Sequence, residues 1–473
     1  MPLDGAPSFY ATRKKVYPRS VGGLYRRIKW AFLAVLLGIY YIVPWIRWDR
    51  GPGAPDQAIL LDLPGRRAYF FWIEIWPQEV YYLSGLLILG AVGLFLATSL
   101  LGRVWCGYAC PQTVWTDLFM WVERLIEGDR TERMRRDQQP LSAGKAARKT
   151  LKHASWLAIA MATGGAWVFY FVDAPTALRD IFSGRASTEV YFFIGLFTAT
   201  TYLLAGWARE QVCTYMCPWP RFQAAMLDVH SLVVSYRSWR GEPRGKHKQG
   251  DSWDGRGDCV DCRACVVVCP TGIDIRNGQQ LECIGCGLCI DACDDIMHKV
   301  GRPQGLIAFD TLFNLEASAA AKPTQYRLFR PRTAIYSGIL LAVAAIMTAG
   351  LALRSTVELT VLRDRNPLFV TLADGAIRNA YTVKVLNKSR ETEVYSLKVD
   401  GPPSRLALVG DGEVGADGVS AMVEVKPDAV GTFRVTLRIE RPALAGESTP
   451  IVFHVDGAAS HASQATLFLG PKP

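Results

Sequence analysis

The sequence predicts a multi-domain chain: an α-helical membrane bundle of about five transmembrane helices, a small cysteine-rich domain placed before the last of them, and an all-β C-terminal domain. Three observations carry this. Apolar residues gather in five long runs, all twelve cysteines fall between Cys106 and Cys293, and the residues after Leu353 break into short β-branched runs separated by turn signals. At 473 residues the chain also exceeds one ordinary core, so several units are expected.

The apolar runs are Ile28–Ile46, Val80–Leu101, Ala154–Val172, Val190–Trp207 and Ala334–Leu353, free of Asp, Glu, Lys and Arg apart from Lys29 at the edge of the first. A bilayer core needs about 20 helical residues, and each run is near that length. The first follows a basic stretch as a signal peptide would. No small-residue cleavage site follows it, however, and Trp45-Ile-Arg-Trp48 fits an interfacial belt, so it is read as a retained anchor. Segments 1–30, 102–153 and 208–332 carry 7, 10 and 16 Lys/Arg, against 4 and 2 in loops 47–79 and 174–189. That asymmetry predicts a cytoplasmic N-terminus and a C-terminal domain on the far side. It also accounts for the net charge of +10 without a nucleic-acid partner.

Eight cysteines form two runs. Cys259-Val-Asp-Cys262-Arg-Ala-Cys265-Val-Val-Val-Cys269-Pro270 is C-x2-C-x2-C-x3-C-P, and Cys283-Ile-Gly-Cys286-Gly-Leu-Cys289-Ile-Asp-Ala-Cys293 repeats it with Asp294 in place of the proline. Three thiolates of a tight loop cap three corners of a cubane, while the fourth cysteine leads to the other cluster. The spacing therefore predicts a ferredoxin-like domain with two [4Fe–4S] clusters. One is expected on Cys259, Cys262, Cys265 and Cys293, the other on Cys283, Cys286, Cys289 and Cys269. Gly285 and Gly287 are expected to allow close backbone approach. Structural zinc would instead call for two separated pairs.

The other four cysteines form an internal repeat. Cys106-Gly-Tyr-Ala-Cys110-Pro111 follows the second apolar run, and Cys213-Thr-Tyr-Met-Cys217-Pro218 follows the fourth. If each helix continues through its motif, the two cysteines share a face, and the proline ends or kinks the helix. Two such helices side by side would offer four sulfurs to one site. Soft thiolates favour Cu(I), zinc or an iron–sulfur centre, a pair of redox dithiols is an alternative, and simple burial is the bland reading. His153 and His230 lie near enough to the membrane edge to act as haem or copper ligands, although interfacial polar caps are the commoner use. His298 is expected to hydrogen-bond near a cluster, and His247 to lie in a solvated basic stretch.

The expected organisation is residues 1–237 for four transmembrane helices with both C-x3-C-P motifs, 238–257 for a Gly/Arg/Lys-rich tether, 258–332 for the ferredoxin-like domain, 333–353 for the fifth helix and 354–473 for the β domain. In the last, Val357–Leu362, Tyr381–Leu386, Val394–Val399, Met422–Val425, Phe433–Ile439 and Ile451–Val455 read as strands. Their number and spacing fit an immunoglobulin-like sandwich without a disulfide.

These motifs, together with Arg103-Val-Trp before Cys106, Gln112-Thr-Val-Trp115 after Pro111, Arg209-Glu-Gln-Val before Cys213, and Val300-Gly-Arg-Pro-Gln-Gly-Leu-Ile307, give a chain that resembles the CcoG/FixG/RdxA-type cytochrome c oxidase accessory proteins over nearly its whole length. Paired C-x3-C-P motifs also occur in related membrane quinol dehydrogenases. The resemblance implies a bacterial inner-membrane protein that reduces Cu(II) to Cu(I) on the cytoplasmic side for assembly of a cbb3-type oxidase. The implied parts are two [4Fe–4S] clusters fed by a soluble cytoplasmic electron donor, and Cys106, Cys110, Cys213 and Cys217 as copper-facing or relay thiols. A copper-export ATPase and the oxidase subunits are the implied partners beside membrane lipid, and a homodimer is left open. The alternatives are a quinol dehydrogenase-type conduit and a non-enzymatic assembly scaffold.

Overall fold

The computed structural model describes residues 15–51, 53–248, 250–410, 412–458 and 460–471. The chain forms two compact units, Met1–Met347 and Thr348–Pro473.

Among the described residues of the chain, four helices are long and apolar enough to cross a membrane: Leu24–Trp45, Pro77–Leu101, Thr188–Ala208 and Pro331–Ala352. Their outward faces are apolar and exposed (Leu87, Phe192 and Leu341, for example), as lipid-facing residues are. The third apolar run takes a different form. It is the C-terminal part of a helix, Ala143–Val168, whose first turns carry Lys145, Arg148, Lys149 and Lys152. Its Gly164 lies so close to the Thr188–Thr201 helix that a Cβ would sit 2.7 Å from the Ile194 carbonyl. A small residue at the crossing is what lets two such backbones meet. The loop after the first span holds a three-stranded antiparallel sheet, Ile59–Asp62, Arg67–Phe70 and Ile73–Ile75. The buried guanidinium of Arg50 braces this loop by donating to the carbonyls of Phe71, Gln57 and Ala58 at 2.6, 2.8 and 2.7 Å.

The cysteine-rich domain is framed by an antiparallel pair, Val233–Tyr236 with Ile307–Asp310, and by the helix Leu288–Lys299. The stretch expected as a free tether is folded onto this domain. Arg240 bonds the buried Asp258 at 2.6 Å, Arg302 bonds its other oxygen, and the Arg302 guanidinium lies 4.8 Å above the Trp253 ring. His247 stacks on the same ring at 4.0 Å. A Gly/Arg/Lys-rich composition reads as solvated, yet here the arginines find one carboxylate and one aromatic face.

The second unit is a sandwich of two five-stranded sheets. One orders Ser404–Val409, Ala429–Ile439, Ile377–Asn387 and Val357–Arg363, with Val370–Thr371 beside Ile377–Asn387. The other orders Glu413–Val414, Ser420–Val425, Glu393–Asp400, Ser448–Asp456 and His461–Leu469. Alternate residues point inward, so Tyr381, Tyr395, Phe453 and Phe468 are wholly buried between the sheets. All six expected strands form. Ser404–Val409 and His461–Leu469 were not expected, because their Ser, Ala and Gln content is weak in strand signal and cross-strand pairing decides the outcome.

Candidate functional site

The two cysteine runs wrap two cavities. Cys259, Cys262, Cys265 and Cys293 line one, together with Tyr236 and Met297. Cys269, Cys283, Cys286 and Cys289 line the other, with Cys265 touching it as well. Each run thus sends its fourth cysteine to the cavity of the other run, and each cavity is lined mainly by sulfur and apolar side chains. The donor set fits a [4Fe–4S] centre: four soft sulfurs around an enclosed space. Burial pushes the Cys265, Cys283 and Cys293 thiols up to about 12, so their thiolate forms need a cationic centre in contact. Asp294, where a proline was expected, accepts the Gly305 backbone N–H at 2.8 Å and pins the returning chain.

Gly285 and Gly287 have a role beyond the one expected. Both adopt left-handed backbone, with φ of 67° and 72°. A Cβ on Gly285 would lie 3.2 Å from the Arg103 carbonyl, and one on Gly287 would lie 2.7 Å from the Tyr25 ring. These glycines let the cluster loop seat against the membrane helices.

The C-x3-C-P motifs depart from the expected geometry. The α-helix does not run through them. In the first, the chain turns at Gly102 (φ 63°), makes one wide π-helical turn over Trp105–Ala109, and leaves Cys110 extended. In the second it turns at Arg209 (φ 46°), makes a π-helical turn over Val212–Met216, and leaves Cys217 extended. The second cysteine of each motif donates its backbone N–H five residues back, Cys110 to Trp105 and Cys217 to Val212, both at 2.8 Å. Pro111 opens the helix Pro111–Glu127, where its missing N–H costs nothing, and Pro218 stands just before the helix Trp219–Met226. Both turns stand four residues before the first cysteine. Gly102 must be glycine, since a Cβ there would lie 2.2 Å from the Leu232 carbonyl. Arg209 tolerates the unusual backbone because its guanidinium is held, with Nε donating to Gly206 at 2.7 Å and an ion pair to Glu123 at 2.9 Å. Single π-helical turns are rare and concentrate at functional sites.

The two motifs meet. The Cys106 thiol feels Cys110, Cys213 and Cys217, and burial first, then these neighbours, push both it and Cys213 up to about 12. Cys106 donates to the Gln223 side-chain oxygen at 3.1 Å. Among the described residues no three His, Cys, Asp or Glu side chains converge closely enough to hold a single metal ion.

This quartet sits directly on the second cluster loop. Cys106 and Cys213 pack against the group formed by Val268, Ile284, Cys286, Leu288 and Ala292. Tyr108, inside the first motif, donates to the Cys286 carbonyl at 3.0 Å. Arg103 donates to the carbonyls of Leu281, Cys283 (3.2 Å) and Pro220 (3.0 Å), tying the cluster loop to the second motif. Gln223 has no signal in the sequence, whereas Tyr108 is marked there by standing at the same inner position of both repeats. The histidines take lesser parts. His153 shares a 2.8 Å hydrogen bond with Tyr202, His230 packs on Phe313, and His298 is exposed.

Fold and site together define a membrane iron–sulfur protein built for electron transfer. Residues 208–312 match the family model of the 4Fe-4S dicluster domain, and residues 83–127, which include the first C-x3-C-P motif, match a 4Fe-4S binding domain. Residues 347–471 match the IG-like fold at the C-terminus of FixG. The chain is 49% identical to the nitrogen fixation protein FixG of Rhizobium meliloti, over 96% of this chain and 91% of that one. It is 52% identical to the protein RdxA of Cereibacter sphaeroides over 90% of each. A crystal structure of a FixG-related protein from Vibrio parahaemolyticus aligns with 24% of this chain and 95% of its own, at 24% identity and a TM-score of 0.20. The chain belongs to the FixG/RdxA family.

Proposed function

We propose that this protein passes single electrons across the junction between its second cluster loop and the C-x3-C-P thiols, and that the acceptor there is Cu(II), released as Cu(I). The observation that carries the reading is the seating of Cys106 and Cys213 on the loop that holds Cys286 and Cys289. Cys259, Cys262, Cys265 and Cys293 would hold one [4Fe–4S] cluster, and Cys269, Cys283, Cys286 and Cys289 the other; when bound, these supply one-electron transfer. Cys265 lines both cavities and shortens the path between them. Cys106, Cys110, Cys213 and Cys217 would take the ion, closing around it, and soft thiolates hold Cu(I) better than Cu(II). The electron comes from a soluble cytoplasmic donor. The Lys/Arg distribution supports an inner-membrane protein with its N-terminus and clusters in the cytoplasm and the sandwich in the periplasm. A copper-export ATPase and cbb3-type oxidase subunits then fit as downstream partners.

A second reading has one observation in its favour. An open groove lined by Tyr40, Gln112, Trp115, Trp167 and Phe197 begins at Pro111, next to Cys110. A lipid-borne quinol oxidised there would feed the same thiols.

Anaerobically purified protein, pre-reduced and mixed with Cu(II) and a Cu(I) chelator, should form the Cu(I) chelate. Cys213→Ser with Cys217→Ser should abolish this while both cluster EPR signals persist. Turnover of a short-chain quinol without any chelated Cu(I) would replace the copper reading with the second one.

A further inference from the structure

A buried charge on the first membrane helix is only loosely paired. Lys29, on the first membrane helix, is 4% exposed. Its one ion pair among the described residues is with Asp117, at 3.9 Å, which is beyond hydrogen-bond reach. That carboxylate is already taken: both its oxygens accept from Arg26 Nη1 at 2.9 Å, and Arg124 acts on it too. One buried carboxylate therefore serves three cations. Asp291, the other acid nearby, accepts backbone N–H groups of Tyr25 and Arg26. Lys29 shares a face of its helix with Tyr25, whose ring packs against Gly287 of the second cluster loop, and with Phe32, whose ring centre lies 5.7 Å from that of Tyr108 in the first motif. It therefore stands on the side of the helix turned to the junction, and its positive charge acts on Cys213 and Cys286. Arg103 is buried as well, spends its guanidinium on carbonyl oxygens, and acts on Cys283 and Cys106.

Burying an ammonium without a close counter-ion is costly, and the site must supply negative charge to offset it. A thiolate-ligated centre does so, and does so more strongly after it gains an electron. We infer that Lys29 is a positioning residue for the electron: its ammonium, together with the Arg103 guanidinium, holds the reducing equivalent at the junction of the second cluster loop and the thiol quartet, ahead of the first cluster. With clusters bound, one electron would be gained at the cavity of Cys269, Cys283, Cys286 and Cys289 and one lost at the cavity of Cys259, Cys262, Cys265 and Cys293, with no proton or bond exchanged. The inference rests on the electron-transfer reading but not on copper as the acceptor.

The test is a redox titration of the full-length protein in detergent, followed by EPR, for wild type, Lys29→Met, Lys29→Arg and Asp117→Asn. Lys29→Met should disfavour reduction of the second cluster by about tenfold, 59 mV for a one-electron couple, and leave the first cluster, as internal reference, in place. Lys29→Arg should restore the wild-type value. Asp117→Asn should move the second cluster the opposite way, which general disruption of packing would not do. A second cluster whose potential is the same in Lys29→Met as in wild type overturns the inference alone, as does a shift of the same sign in Lys29→Met and Asp117→Asn. A wild-type protein without iron overturns it together with the electron-transfer reading.

Discussion

One carboxylate oxygen of Asp291 accepts the backbone N–H of Arg26 at 2.8 Å, and the other accepts that of Tyr25 at 3.2 Å. A residue of the cluster helix, two positions before Cys293, thus caps the first membrane helix in place of a local N-cap side chain, for Gly23 has none to offer. Caps of this kind contribute about 1 kcal/mol. Asp291→Ala should therefore raise hydrogen exchange at the Tyr25 and Arg26 amides by about fivefold, the equivalent of that energy. Asp291→Asn, which keeps an acceptor, should recover most of the protection. Unchanged exchange in Asp291→Ala would show that water caps the helix equally well.

Gly107 offers a sharper probe of the junction. A Cβ added there would lie 3.0 Å from the Cys286 Cα and 3.0 Å from the Ile284 carbonyl, both backbone atoms of the cluster loop. Gly107→Ala must push the loop away from the thiols, at a cost of about 1–3 kcal/mol for overpacking. Both clusters should still assemble, since no ligand is touched. Electron passage from the second cluster to the quartet should slow in single-turnover measurements, and thermal release of iron should come at a lower temperature. Wild-type passage rates would mean that electrons leave by another face.

The segment that precedes the first membrane helix is tied down by Asp137, which accepts from Lys15 at 2.5 Å, Tyr17 at 2.7 Å and Lys149 at 2.7 Å. Burial alone would raise its pKa, but the hydrogen bonds from Lys149, Lys15 and Tyr17 outweigh this and hold it well below the usual carboxylate range. A depressed pKa contributes stability that is present above the ordinary carboxylate value and lost as pH falls toward the folded one. The segment should therefore stay docked at neutral pH and remain so as pH falls to about 4. Asp137→Asn should release it at pH 7, measured as faster tryptic cleavage after Lys15 and Arg19. Equal cleavage of variant and wild type would remove this tie.

Most of this architecture could be read from spacing. The crossed placement of Cys269 and Cys293, each lining the other run's cavity, follows from the C-x2-C-x2-C-x3-C repeat, because three thiols in one tight loop leave the fourth to face elsewhere. The six strands found in the sequence are those rich in β-branched residues. What stayed hidden depends on partners distant in sequence. The wide turns at Cys106 and Cys213 are set by a glycine pressed against Leu232 and an arginine held by Glu123, and neither relation has a local signature. The second role of Gly285 and Gly287 was hidden for the same reason: the residues they admit, Arg103 and Tyr25, lie about 180 and 260 positions away. The basic stretch 238–257 looked solvated because the carboxylate that organises it follows only at Asp258.

Asp258 is the last of these long-range ties, and it bears on the first cluster cavity. It is 2% exposed and directly precedes Cys259, and both Arg240 and Arg302 end on it. Arg240 also reaches the carbonyls of Pro303 and Gln304, so one carboxylate joins the start of the ligand run to the chain returning after the last ligand. Removing one partner of a buried, hydrogen-bonded ion pair costs about 3–5 kcal/mol, because the remaining charges lose their compensation. Asp258→Asn keeps the shape and removes the charge. It should loosen residues 240–256, seen as new tryptic cleavage there, and should speed loss of the first cluster to a chelator while the second cluster, proposed for the cavity of Cys269, Cys283, Cys286 and Cys289, is lost at the wild-type rate. If both clusters are lost faster together, the carboxylate supports the whole cysteine-rich domain; if neither changes, the arginines are compensated by solvent and the collar is passive.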